Sequence, residues 1–276
     1  MKKSLIGICM LLLPGFAHAA ERIVSIGGSL TEIVYAIGAK DLLVGSDTTS
    51  YYPPAAEKLP KVGYQRSLSA EGILSLDPDL LIMSDESGPP SVLKQLETAG
   101  VGFLINKAGR SLDDVKHNIE TIAKALDYTD QGRALIESID ATHRELQQVI
   151  ADNPEPKNVL FIMQISGGAP LVAGTNTAAD SMIRLSGASN VVTAYEGYKP
   201  LTPESLIALK PDVIIMTDQG LAQAGGKESV LRSPGIAITP AGRNGHIVAM
   251  DSLKILGFGP RSAAAALELN RQISAL

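Results

Sequence analysis

The sequence is 276 residues long, 45% hydrophobic and 19% charged, which is enough apolar material for one large or two small cores and too much for a disordered chain. Its 24 Lys and Arg against 29 Asp and Glu leave a net charge of −5, so no basic field marks a nucleic-acid partner.

In chain order, the first feature is the only long apolar run, Leu5 to Leu13. It follows Met1-Lys2-Lys3, is too short to span a bilayer, and runs into Pro14 and Ala17-His18-Ala19-Ala20. That pattern predicts a secretory signal peptide over residues 1–20, cut after Ala19 or Ala20. The cut removes Lys2, Lys3 and Cys9, leaving 22 cations, 29 anions and no cysteine, a charge of −7. Cys9 lies inside the apolar run and not at the cut, which gives no reason to expect a lipid anchor. The reading is a soluble exported protein of the periplasm, held by its core and not by disulfides.

Short β-branched runs then alternate with helical segments: Arg22 to Ile26, a helix over Leu30 to Ile37, Leu42 to Val44, Leu80 to Met83, a crossover helix over Pro90 to Ala99, and Val101 to Ile105. This alternation predicts an α/β lobe with mainly parallel strands over residues 21–128. Apolar residues at helical spacing from Leu135 to Ile150 predict one long helix within 129–153, with Thr129 as its N-cap and a span of roughly 33 Å at ~1.5 Å per residue. Asn153-Pro154-Glu155-Pro156 ends it. A second α/β lobe follows over 154–276, from the buried-strand run Asn158 to Met163 to an alanine-rich helix from Arg261.

An internal repeat supports two similar, Rossmann-like lobes joined by a stiff helix. Leu68 to Asp85 aligns without gaps on Leu201 to Asp218, with 8 of 18 positions identical. A weaker match relates Gly28-Ser29, a helix and Gly38-Ala39 to Gly174-Thr175, a helix and Gly187-Ala188. Ligands of such proteins bind between the lobes, at the carboxyl ends of the strands.

Gly27-Gly28-Ser29-Leu30-Thr31-Glu32, Val62-Gly63-Tyr64, the two Leu-x-x-Glu repeats and Gly257-Phe258-Gly259-Pro260-Arg261, with the signal peptide and joining helix, together resemble the periplasmic haem-binding proteins of bacterial ABC importers. The repeats and helix resemble the wider class III of substrate-binding proteins, which also carries siderophores, cobalamin and metal ions. Gly63-Tyr64 with Arg66 two residues on is the part that points to haem. The resemblance implies a monomeric, non-enzymatic carrier of haem b, with the Tyr64 phenolate on the ferric iron and Arg66 stabilising that charge. It implies that Glu71 and Glu204, at equivalent repeat positions, dock on the two membrane subunits of a permease.

Loop position adds Ser29, whose Gly-Gly-Ser turn offers backbone N–H groups to a ligand carboxylate or to its own cap, together with Gln164, Tyr198 and Lys199. Lys199 and Arg66 are candidate partners for haem propionates, and Tyr198 can stack on the macrocycle. Some members of the family hold a second haem through a histidine on the second lobe; the matching strand end here, Phe161 to Gly168, has none. His117, His143 and His246 have no local metal spacing. Two other readings stand beside haem carriage: a siderophore or cobalamin carrier of the same class, and an exported hydrolase. The hydrolase has neither a Gly-x-Ser-x-Gly elbow nor a paired acid to support it.

Overall fold

The structure, a computed structural model, describes residues 21–166 and 169–276. The predicted signal peptide lies outside the described residues. The first lobe runs β1 (Ile23–Ser25), α1 (Gly28–Ala36), β2 (Leu43–Ser46), β3 (Gly63–Tyr64), β4 (Ser67–Leu68), α2 (Ala70–Leu74), β5 (Leu80–Ser84), α3 (Pro90–Thr98), β6 (Gly102–Asn106) and α4 (Leu112–Ala125). Then comes α5 (Thr129–Asp152). The second lobe continues with β7 (Asn158–Ser166), β8 (Ala169–Ala173), α6 (Ala178–Leu185), β9 (Ser189–Asn190), β10 (Tyr198–Pro200), α7 (Pro203–Leu209) and β11 (Val213–Thr217). It closes with α8 (Asp218–Gln223), α9 (Lys227–Leu231), α10 (Pro240–Asn244), β12 (Ile247–Met250), α11 (Ser252–Leu256) and α12 (Ser262–Ser274).

The first sheet has the order β2-β1-β5-β6 and is parallel throughout. In the second sheet, β10-β8-β7-β11-β12, the pairs β7–β11 and β11–β12 are parallel, but β8 and β10 run antiparallel. Only residues 167 and 168 separate β7 from β8, too few for a crossover, so the two must pair antiparallel. With β9 pairing parallel to β7, three of the five strand pairs of the second sheet are parallel, so the mainly parallel expectation holds throughout the first lobe and for the larger part of the second.

The internal repeat is a structural repeat. β5 and β11 begin and end at equivalent positions, and Ser69 and Thr202 cap α2 and α7 by accepting the Gly72 and Ser205 N–H groups. Asp77 and Lys210 both turn left-handed at φ 46°. Asp79 accepts the N–H before β1 (Arg22 N–Oδ2 3.0 Å), and Asp212 accepts the N–H opening β7 (Asn158 N–Oδ2 3.0 Å). The weaker match is structural too. Gly38 and Gly187 close α1 and α6 with the same C-terminal motif, in which the next N–H returns to Val34 O (3.0 Å) or Ile183 O (3.1 Å).

α5 starts at Thr129, but Thr129 is not its cap. Asp127 at φ 63° closes α4 with Tyr128 N–Ala123 O at 2.7 Å, which makes Tyr128 the N-cap residue and puts Thr129 inside the helix. Along α5 the buried residues are Gly132, Ile139 and Leu146. Ile139 and Leu146 belong to one core that takes Leu30, Ile33 and Ile119 from the first lobe and Phe161, Met182, Leu269 and Ile273 from the second. Strand alternation sends Ile82 into this shared core and Leu81 and Met83 to the far face of the first sheet; Val159 and Phe161 likewise face inward, and Leu160 and Ile162 outward. The joining helix is thus packed against α4 and α12 and is part of both lobes' core, not a free strut.

A Cβ on Gly132 would lie 2.5 Å from Ala123 Cβ, so this glycine sets how closely α4 and α5 approach. In an open helix Gly→Ala gains about 1 kcal/mol of propensity. Here the forced separation outweighs it, and Gly132→Ala is expected to destabilise the fold by about 1–2 kcal/mol, measured as a lower midpoint in urea.

Candidate functional site

A cavity of about 770 Å³ opens between the lobes at the carboxyl ends of the strands, where the α/β arrangement predicts it. Its floor is organised by Asp47, which is fully buried. One carboxylate oxygen accepts from Gly27 N (3.0 Å) and Ser50 Oγ (2.7 Å), the other from Thr49 N (3.1 Å) and Thr49 Oγ1 (2.7 Å). Thr49 Oγ1 in turn accepts from Gly28 N at 2.9 Å. The donors of the Gly-Gly turn are therefore used within the chain. Ser29 lines the cavity, but the N–H groups of Gly27 and Gly28 are not free for a ligand carboxylate.

Tyr64 sits on the cavity wall and is 42% exposed. It ends β3, which pairs antiparallel with β4 across the two-residue turn Gln65-Arg66. Gly63 has φ 105°, and a Cβ there would lie 2.9 Å from Ser67 O, so the residue before the tyrosine has to be glycine for the hairpin to close. The turn aims Arg66 back at its neighbour: Arg66 Nη1 donates to Tyr64 Oη at 2.8 Å, and Nη2 pairs with Glu86. Burial pulls the Arg66 guanidinium down, but hydrogen bonds to Glu86 and Tyr64 outweigh it and hold its pKa above the usual arginine value.

Two other tyrosines line the cavity. Tyr51, not singled out from the sequence, accepts from Leu253 N (2.8 Å) and donates to Asp251 (2.9 Å), both in the second lobe. Burial pushes its phenol up to about 12; the Leu253 N–H works against this and the Asp251 carboxylate adds to it. Burial also raises Tyr198, with Thr177 and the Ala179 N–H pulling it back. Tyr64 is the one of the three with an arginine donor on its oxygen.

Of the remaining expectations, Arg66, Gln164 and Tyr198 line the cavity and Lys199 does not. Successive residues of β10 face opposite sides of the sheet, so Tyr198 turning inward sends Lys199 outward, where its Nζ lies 4.9 Å from the centre of the Tyr195 ring. Lys199 is thereby corrected from a propionate partner to a surface cation on an aromatic face. In its place the structure brings in Lys107 and Arg110, from the loop after β6. The lining carries four charged side chains, Arg66, Glu86, Lys107 and Arg110, all from the first lobe. Three cations against one anion make a positive cleft in an acidic chain. The second lobe faces them with Met163, Gln164, Asn176 and Gln219.

Arg261, in the last sequence motif, does not reach the cavity. It forms a two-bond pair with the buried Glu32 on α1 (Nε–Oε1 2.9 Å, Nη2–Oε2 3.0 Å) and lies over the Tyr52 ring at 3.5 Å, so the motif Gly257 to Arg261 clamps one lobe to the other. Glu71 and Glu204 are exposed in the first turns of α2 and α7. The Glu204 carboxyl is held below the usual range by its own backbone N–H and the Thr202 hydroxyl. His117, His143 and His246 all lie outside the cavity lining, and among the described residues no cluster of three metal-binding side chains occurs.

Two α/β lobes sharing one core and closing on a large cleft of mixed apolar and polar lining define the architecture of a solute-binding protein. The model of the periplasmic binding protein family matches residues 23–253, and the chain belongs to that family, in the branch of the haem-binding proteins of ABC importers. Periplasmic haem-binding protein BhuT, in complex with two haems, is 44% identical and covers 92% of this chain and 98% of its own, with a TM-score of 0.89. Periplasmic haem-binding protein RhuT from Roseiflexus sp. RS-1, in apo form, is 40% identical over 93% of this chain and 98% of its own, with a TM-score of 0.88. The vitamin B12-binding protein of Vibrio vulnificus is 28% identical over 86% of this chain and 84% of its own length. An uncharacterised substrate-binding lipoprotein of Bacillus subtilis is 29% identical over 207 residues, 74% of this chain but only 66% of that protein.

The raised Tyr51 phenol carries a sign. The folded chain keeps that proton up to about pH 12 and the unfolded chain loses it near ~10, so folding binds more protons in between and its stability falls as pH rises through that window. Tyr51→Phe is expected to flatten this alkaline slope, read as urea midpoints for both proteins from pH 9 to 12.

Proposed function

We propose that this chain carries haem b in its interlobe cleft, as the exported component of an ABC importer, with Tyr64 as an axial ligand of the ferric iron. The observation that carries the reading is Tyr64 on the wall of a cleft of about 770 Å³, its oxygen bonded to Arg66 and its charged lining net cationic. A ferric centre favours phenolate oxygen, and a guanidinium on that oxygen stabilises its charge. The neighbouring cations suit the two carboxylates of haem. Leu30, Leu253 and Leu256 give the macrocycle apolar wall, and Tyr198 and Gln164 line the same cleft.

Export follows from the signal peptide, cut after Ala19 or Ala20, with residues 21–128 and 154–276 as the lobes on either side of α5. Loading breaks no bond of the ligand. The core shared through α5 favours a small change of lobe angle, so that release depends on the permease. Cobalamin is the second reading, favoured by the 28% identity to a vitamin B12-binding protein; it leaves Tyr64 as a wall residue.

An absorbance titration with haemin separates the two. The wild-type chain is expected to saturate with a protein-bound spectrum whose ligand-sensitive bands are lost in Tyr64→Ala, and its end point reads the number of haems bound. Saturation by cyanocobalamin with no response to haemin would overturn the haem reading.

Glu71 and Glu204, exposed at equivalent points of the two lobes, suit docking on arginines of two permease subunits, where paired charges set register and encounter rate. Glu71→Arg with Glu204→Arg is expected to leave the haemin titration unchanged and to abolish stimulation of the permease ATPase by the loaded carrier. Full stimulation by the double variant would remove these residues from the interface.

A further inference from the structure

Three of the four charged side chains in the cleft form one chain of bonds. Arg66 holds Tyr64 through Nη1 and one oxygen of Glu86 through Nη2. Arg110 holds the other Glu86 oxygen (Nη2–Oε1 2.8 Å) and reaches across the cleft to Asn176 Oδ1 in the second lobe (Nη1–Oδ1 2.9 Å). One carboxylate is therefore shared by two arginines, one oxygen to each.

Among the described residues, nothing else holds the Glu86 carboxylate there. Its neighbours are tied down: Asp85 N donates to Asn106 O, Ala108 N donates to Asp85 Oδ1, and Ser87 N donates to Ser84 O. The Glu86 carboxylate bonds only to the two arginines among the described residues, and its side chain is one-third exposed, at 34%. It lies in the loop between β5 and α3, where the side chain can turn to solvent without moving a strand.

We propose that Arg66 and Arg110 form a carboxylate-binding fork of which Glu86 is the internal occupant, and that a carboxylate of the arriving ligand takes the place of Glu86. The proposal rests on the haem reading, since haem supplies the carboxylates. The exchange replaces one pair of charge-assisted hydrogen bonds with another, so the fork stays spaced for a carboxylate before the ligand comes. It also makes Glu86 a competitor, which weakens retention and helps release. Because Arg66 carries both the fork and the hydrogen bond to Tyr64, seating a carboxylate and ligating iron act on the same guanidinium.

The test compares haemin with haemin dimethyl ester, which keeps the iron and macrocycle but has no free carboxylate. Glu86→Gln is expected to bind haemin about tenfold more tightly, through loss of the competing charge, and the ester within about twofold of wild type. Arg110→Gln is expected to bind haemin about tenfold more weakly, again with little change for the ester. A Glu86→Gln protein that binds haemin more weakly, or that shifts both ligands equally, would show Glu86 to be a structural brace and overturn the proposal. Wild-type protein that binds neither ligand would instead overturn the haem reading and this proposal with it.

Discussion

The apolar core that passes through α5 is the constraint on which the cleft depends. Ile139 and Leu146 are buried among side chains of both lobes, at roughly 1.5–3 kcal/mol for each side chain removed from water. Opening the lobes like a hinge would expose those contacts, so the cleft is held near one width. The Glu32–Arg261 pair, stacked on Tyr52, and the Tyr51–Asp251 hydrogen bond add polar ties between the lobes near the cleft. Breaking such a pair costs more than its net worth, because the buried Glu32 would be left without its counter-charge. A carrier built this way gains selectivity from the shape and charge of a preformed wall.

That wall divides its work unequally. The lobes repeat one another down to single hydrogen bonds at Asp79 and Asp212 and to the αL turns at Asp77 and Lys210. Yet the first lobe alone supplies the charges and the arginine-held tyrosine, while the second faces them with Gln164, Asn176 and Tyr198. The duplicated parts are those that cap helices and anchor strands. The differences lie in the loops after the strands, which the sheet does not constrain. A charge of −5 for the whole chain coexists with a cationic cleft because Arg66, Lys107 and Arg110 are gathered there against Glu86 alone, and the other acids lie outside its lining.

Apolar periodicity, glycine and proline punctuation and the internal repeat determined two α/β lobes, the extent of the long helix to within a residue or two, and Tyr64 as the candidate ligand. All of these are local signals, carried by neighbours in the chain. Arg110, Glu86 and Lys107 were not legible, because they come from loops 20 or more residues from Tyr64 and meet it only when β5 and β6 lie side by side. Lys199 was misread for the opposite reason: its place next to Tyr198 in sequence puts it on the other side of β10. The sequence thus determined which segments could fold and which residue types were on hand. The tertiary structure decided which of them share a cavity, because a charged side chain's partner is set by the packing of sheets and loops and not by its distance along the chain.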